Sequence, residues 1–242
     1  TFVDQFRSAQ PFPHIVLDDF LEEDVFVQIC RSRIQTKNEQ GGKYFHSKVE
    51  KKKWISLNCN LRKPIADVLD ELNSVSWINN LTGLSHIELI TTKTDNKMLA
   101  NYHEMEPGGY LGPHVDHSSD PISGMPHVLN IILFLSDKWN STYGGSTRFH
   151  DKRGKKIMAE VEFKPNRALI FLHTPYSFHS VTSISEDASS NRCSLYVDYY
   201  SKTYKPYDHL TLPFSKTWFT HGTTFKFLSP FDVFSLNSNV YR

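Results

Sequence analysis

The hydrophobic and polar positions change rhythm near His86. Before it, apolar residues recur at helical spacing. Leu21 to Cys30 reads as a helix, with Asp18 and Asp19 offering capping oxygens ahead of it. After Pro64, the residues Ile65, Val68, Leu69, Leu72 and Val75 mark a second amphipathic helix, and Gly83 stands where a C-terminal glycine is favoured. Pro11 to Leu17 reads as a short entering strand. The polar stretch from Thr36 to Lys53 carries Gly41-Gly42 and is predicted to be a mobile loop.

Beyond His86 the pattern is that of strands. Met98 to Tyr102, Val128 to Leu135, Lys155 to Phe163, Ala168 to Leu172, His179 to Ile184 and Cys193 to Tyr200 are apolar or alternating runs. Turn signals separate them, among them Pro107-Gly108-Gly109 and Gly144-Gly145. Short strands without interleaved helices favour a sandwich or barrel over a parallel sheet. The expected fold class is therefore α+β, mainly β, a jelly roll with flanking N-terminal helices. Residues 1–202 are expected to form one domain, with helical support over 18–83 and a jelly-roll core over 86–202. Residues 203–242, rich in aromatics such as Tyr204, Trp218, Phe219 and Phe231, are expected to pack on that core as an extension.

Composition narrows the function. A hydrophobic fraction of 39% and a charged fraction of 22% are ordinary for a globular chain of 242 residues. A net charge of +1 gives no call for nucleic acid or an anionic membrane. The basic run of Lys48, Lys51, Lys52 and Lys53 is expected to be a solvated loop. No apolar stretch approaches the ~20 residues of a membrane span, and Thr1 to Gln5 lacks a signal-peptide pattern. Three cysteines, Cys30, Cys59 and Cys193, make no disulfide framework, so a reducing cytoplasm is expected. Twelve histidines direct the search towards metal chemistry.

His114-Val115-Asp116 places an imidazole and a carboxylate two residues apart, on one face if the segment is extended. Alone the pair is weak, since roughly 0.7 such pairs are expected by chance. A second histidine, His179, opens a later predicted strand, and Arg192 follows thirteen residues on. Two His and one carboxylate leave coordination positions open, an arrangement that suits non-haem Fe(II) oxygenases. An arginine nearby can fork onto the distal carboxylate of a 2-oxo acid through two parallel hydrogen bonds.

These residues, with Pro11 to Leu21, Tyr102-(x)5-Gly108-Gly109, Asn130 to Leu135, Trp139 and Gly144-Gly145-Ser146-Thr147, give the chain a close resemblance to a known family. It resembles the prolyl-4-hydroxylase-like branch of the 2-oxoglutarate/Fe(II) oxygenases, from Pro11 to about Tyr200. The resemblance implies a double-stranded β-helix with His114, Asp116 and His179 as iron ligands and Arg192 as the co-substrate anchor. It implies a hydroxylase that consumes 2-oxoglutarate and O2, releases succinate and CO2, and uses ascorbate as an accessory reductant. Tyr102 matches a tyrosine of the 2-oxoglutarate pocket. Phe134 stands where several prolyl hydroxylases carry a second, hydroxyl-bearing anchor, so Asn130, Ser194 or Tyr102 must supply that hydrogen bond instead. Tyr44 and Phe45 fall in a region that folds over substrate in relatives, and His173 reads as a pocket wall. His103, His127 and His150 read as surface or internally satisfied histidines, and His117 as facing away from the ligand pair.

The expected substrate is a prolyl residue of a protein or peptide; a free amino acid or other small metabolite is the alternative. Asp116 argues against a halogenating relative, which needs a small residue there. Asp198, where nucleic-acid demethylases of the superfamily carry a second arginine, argues against that branch. A non-catalytic jelly-roll binding module is the remaining competitor. No oligomeric state follows from the sequence.

Overall fold

The structure is a computed structural model that describes residues 1–32, 42–56, 63–89, 100–120, 123–203 and 218–219. Eleven strands form one antiparallel sheet that curls into a nearly closed jelly roll. Their order along the main path is β1 (His14–Leu17), β8 (Ala168–Leu172), β5 (His127–Phe134), β10 (Arg192–Tyr200), β4 (Ala100–Val115), β9 (His179–Val181), β6 (Thr147–His150) and β7 (Ile157–Val161). A hairpin of β2 (Lys43–Phe45) and β3 (Glu50–Ser56) joins β4, as does β11 (Trp218–Phe219). The sixteen residues of β4 pair with β10 and β3 at one end and with β9 at the other, so this strand links the two halves of the barrel.

Alternation sorts two apolar layers. Leu129, Ile131 and Leu133 on β5 and Cys193, Leu195 and Val197 on β10 face outward, against α2 (Glu23–Arg31) and α3 (Lys63–Leu72). Ile132 and Phe134, Leu169 and Phe171, Phe149, Val181 and Tyr196 face into the barrel. Every residue of β5 is buried, which is why its sequence reads as an unbroken apolar run. No helix among the described residues is long and apolar enough to cross a membrane.

Several boundaries differ from expectation. A helix α1 (Phe2–Ser8), closed by a capping box between Thr1 and Asp4, precedes the entering strand. Asp18 does not cap α2; it accepts from Lys164 and Arg167 and ties that turn to the β7–β8 connection. The helix after Pro64 ends at Leu72, and Ser74 caps a separate helix α4 (Val75–Ser85), on which Val75 is exposed. Gly83 lies inside α4, and His86 at φ 59° takes the left-handed closing position.

The largest correction concerns residues 36–53. Residues 36–41 lie outside the described residues, but 43–56 form the β2–β3 hairpin, hydrogen-bonded to the barrel. A register shift between Lys51 and Lys53, with Lys52 at φ 53°, turns Lys53 inward. Lys53 is buried with Glu50 as its ion partner at 2.7 Å, and Lys52 reaches Pro107 O and Glu186. The lysine run is therefore woven into the sheet edge rather than a solvated loop. Of the C-terminal extension, only Thr203 and β11 fall within the described residues; the β11 backbone pairs with β4 at Val115 and His114.

Candidate metal centre and co-substrate pocket

His114 and His179 face each other across the β4–β9 pairing, and Asp116 follows one residue beyond the end of β4. The two imidazole rings lie 4.1 Å apart. His114 Nε2 is 3.3 Å from Asp116 Oδ1, and His179 Nε2 is 3.4 Å from Asp116 Oδ2. One ligand atom from each of the three residues lies within 4.8 Å of the others.

Tautomers sharpen the picture. His114 Nδ1 hydrogen-bonds to Gly112 O at 2.9 Å, and His179 Nδ1 to Ser177 O at 3.0 Å. A backbone carbonyl can only accept, so both Nδ1 atoms carry the proton and both Nε2 atoms present lone pairs. Two lone pairs and a carboxylate thus converge, and buried His179 Nε2 has no hydrogen-bond partner. Burial opposes ionisation of Asp116, yet His179 and His114 outweigh it and hold the carboxyl well below its usual range. Burial pushes His179 down to about 4, with His114 adding to the effect. A neutral His179 and an anionic Asp116 are the protonation states a divalent cation requires. The donor set fits Fe(II).

Arg192 opens β10 and is fully buried. Its Nε donates to Gly145 O at 2.8 Å, Nη1 to Ser194 Oγ at 3.3 Å and Nη2 to Thr147 Oγ1 at 3.4 Å. The guanidinium packs beside the stacked rings of Phe134 and Phe163, 5.2 and 4.7 Å from their centroids, which are themselves 4.5 Å apart. Gly145 permits this approach: at φ +72°, a Cβ there would stand 3.1 Å from the Arg192 side chain. No carboxylate among the described residues lies within ion-pair distance of Arg192. Burial pushes its pKa down, opposed by neighbouring Tyr196. A buried cation without an anion is expensive unless a ligand supplies one, and 2-oxoglutarate has the required carboxylate.

The other expected residues fall in different places. Tyr102 pairs with Leu195 and belongs to the helix-side core, on the face opposite Arg192. Its neighbour His103, opposite Ser194, takes the inward place and stacks on Tyr196 at 4.2 Å. The helical and strand signals before residue 102 could not set this parity, and one residue of register exchanges the faces. Ser194 lies beside the guanidinium, whereas Asn130 lies at the other end of the cavity, beside Asp116. His173 is fully buried, stacked on His127 at 4.2 Å, hydrogen-bonded to the Asp116 backbone and pushed down to about 3 by burial. Tyr44 is exposed on β2 and packs on Trp54, while Phe45 lies under Lys53. His127 and His150 are buried in the barrel rather than on its surface. His150 Nε2 meets Ser180 Oγ, and His117 bonds the Tyr200 hydroxyl.

The inner-face places of Tyr196 and Asp198 escaped the sequence reading, although a signal for them exists. Arg192, Ser194, Tyr196 and Asp198 alternate with apolar Cys193, Leu195 and Val197, so period two puts all four on the inner face.

Residues 98–198 match the family model described as the 2OG-Fe(II) oxygenase superfamily. No curated protein matches the chain by sequence. Among solved structures, it resembles a prolyl hydroxylase from Trichoplax adhaerens, in complex with a hypoxia inducible factor oxygen degradation domain peptide fragment. That match has TM-score 0.60 and 14% identity, and covers 83% of this chain and 88% of that one. A Pseudomonas putida prolyl-4-hydroxylase gives TM-score 0.60 and 14% identity over 84% of this chain and all of its own. HygX from Streptomyces hygroscopicus, with nickel, 2-oxoglutarate and hygromycin B bound, gives TM-score 0.55 and 9% identity over 84% and 88%. The resemblance read from the motifs stands on these matches, as do Fe(II) and 2-oxoglutarate as cofactors.

Proposed function

We propose, from the premise that this chain belongs to the 2OG-Fe(II) oxygenase superfamily, that it hydroxylates a prolyl residue in a protein or peptide substrate. The general reaction, oxidation of a substrate by O2 coupled to conversion of 2-oxoglutarate to succinate and CO2, is that of the superfamily. The observation that carries the assignment is the pairing of two sites in one barrel: a converging His114, Asp116 and His179, and a buried Arg192 that lacks an anion. The likeness to two prolyl hydroxylases supports the prolyl reading.

His114, Asp116 and His179 would hold Fe(II), and Arg192 with Ser194 and Thr147 would receive the distal carboxylate of 2-oxoglutarate. The bound metal supplies activation of O2 and the oxidising power. The protein's share is placement. Nδ1 anchoring of both histidines fixes where their lone pairs point. The Arg192 guanidinium beside Phe134 and Phe163 would hold the distal carboxylate of the co-substrate, leaving its 2-oxo end free to reach the triad. Phe171, 5.0 Å from His179, and the apolar interior keep water from the reacting groups.

A small-molecule substrate is the second reading, favoured by the likeness to HygX with hygromycin B. Incubation of the Fe(II)-loaded protein with 2-oxoglutarate and candidate prolyl peptides should give succinate and a peptide heavier by one oxygen in mass spectrometry. Succinate formation stimulated by small amines or sugars, with every prolyl peptide unmodified, would transfer the assignment to the second reading. A binding module would form no succinate under any of these conditions.

A further inference from the structure

Asn130 lies on the inner face of β5, opposite Asp198 of β10, and is fully buried. Its amide nitrogen is 3.3 Å from Asp116 Oδ2 and 3.2 Å from Asp198 Oδ1. An amide nitrogen between two carboxyl groups donates one N–H to each. Asp198 in turn lies 3.5 Å from His127 Nε2 and 3.8 Å from His117 Nε2, and His117 Nε2 meets the Tyr200 hydroxyl at 3.0 Å. His127 Nδ1 is committed to His117 O at 2.9 Å. No lysine or arginine among the described residues lies within ion-pair distance of Asp198. A polar chain of this kind costs more to bury than apolar residues of the same volume. Packing alone gives no reason for its terminal donor to meet the carboxylate that completes the metal triad.

We propose that Asn130, anchored by Asp198, is a positioning residue for the metal: it fixes the rotamer of the Asp116 carboxylate and occupies Oδ2. The inference rests on the triad being the ligand set. Three consequences follow from the geometry. The carboxylate plane cannot rotate without breaking the bond to Asn130. With Oδ2 engaged by a donor, coordination is directed to a single oxygen, which keeps further positions open. And Asn130 contributes to metal affinity while standing apart from Arg192, at the middle of β5, four residues from Phe134.

The test compares Asn130→Leu, which keeps the volume and removes the donor, with Asn130→Ser, which shortens the side chain and cannot overpack the site. Mn(II) affinity, the visible absorption of the Co(II)-substituted protein and the KM for 2-oxoglutarate are measured on each. Expected are a loss of Mn(II) affinity of about 10- to 100-fold, a changed Co(II) spectrum, and a KM for 2-oxoglutarate that moves less than about 3-fold. Asp198→Leu should weaken Mn(II) binding in the same direction, because Asn130 then loses its anchor. If Asn130→Leu does not fold, Asn130→Ser decides. Wild-type Mn(II) affinity and Co(II) spectrum in the folded Asn130 variants would overturn the proposal. His114→Ala, run in parallel, separates the two levels: if it too keeps Mn(II) affinity, the ligand set is wrong; if it loses the metal while the Asn130 variants do not, only the positioning role fails.

Discussion

Arg192 constrains what can bind in the barrel more than any other residue described. Its donors are held by Gly145, Ser194 and Thr147, the stacked rings of Phe134 and Phe163 pack beside it, and no carboxylate among the described residues lies within ion-pair distance. Arg192→Ala should raise the apparent KM for 2-oxoglutarate at least ~30-fold, corresponding to about 2 kcal/mol. Arg192→Lys should recover only part of this, since an ammonium lacks the planar fork. An unchanged KM in steady-state succinate assays of Arg192→Ala would place the anchor elsewhere. The triad gives a second prediction at this scale. Ala at His114, Asp116 or His179 should abolish turnover and Fe(II) binding while the circular dichroism of the apo-protein is kept. Near-normal hydroxylation by Asp116→Ala would contradict the ligand set.

At the scale of elements, the β2–β3 hairpin flanks the barrel beside β4 and carries exposed Tyr44 at its outer strand. The double change Tyr44→Ala, Phe45→Ala should leave uncoupled 2-oxoglutarate turnover intact and lower substrate hydroxylation at least ~10-fold, the pattern of lost substrate positioning. Equal, wild-type levels of both activities would reduce the hairpin to a connector. This element also shows what the sequence could and could not reveal. Strands β5, β8 and β10 were legible because burial on both faces, or strict alternation, leaves a strong signal. The hairpin was hidden because its pairing energy comes from β4, far along the chain, and its lysines imitate a solvated loop. The triad was legible as a motif. The inward place of His103, by contrast, depends on the register of β4 against β10, which no local pattern carries.

Across the whole molecule, the barrel holds an unusual load of neutral imidazole. Burial pushes His150 and His179 down to about 4 and His173 to about 3, against about 6.5 in an unfolded chain. Between those values the unfolded state binds more protons than the folded one, so stability is full above pH ~6.5 and falls as pH drops towards 4. Each such histidine contributes up to about 1.4 kcal/mol per pH unit within that window. Urea midpoints of the apo-protein should therefore decline steeply from pH 7 to 5, and His150→Gln should flatten the decline by about one proton; an unchanged slope would show that His150 is not held neutral. The immobility of Arg192 has a consequence of another kind. A guanidinium clamped by backbone, hydroxyls and two phenyl rings cannot slide along the barrel, and the triad is pinned at the far end by carbonyls. Phe134 and Asn130, which mark these two ends on β5, are four residues and about 13 Å apart along the strand. The interior is thus a fixed-length gauge for a dicarboxylic acid. 2-Oxoadipate, one methylene longer, must buckle, and oxaloacetate, one shorter, cannot reach both ends. Neither should support more than about a tenth of the 2-oxoglutarate rate, whereas a cavity of adjustable length would accept all three.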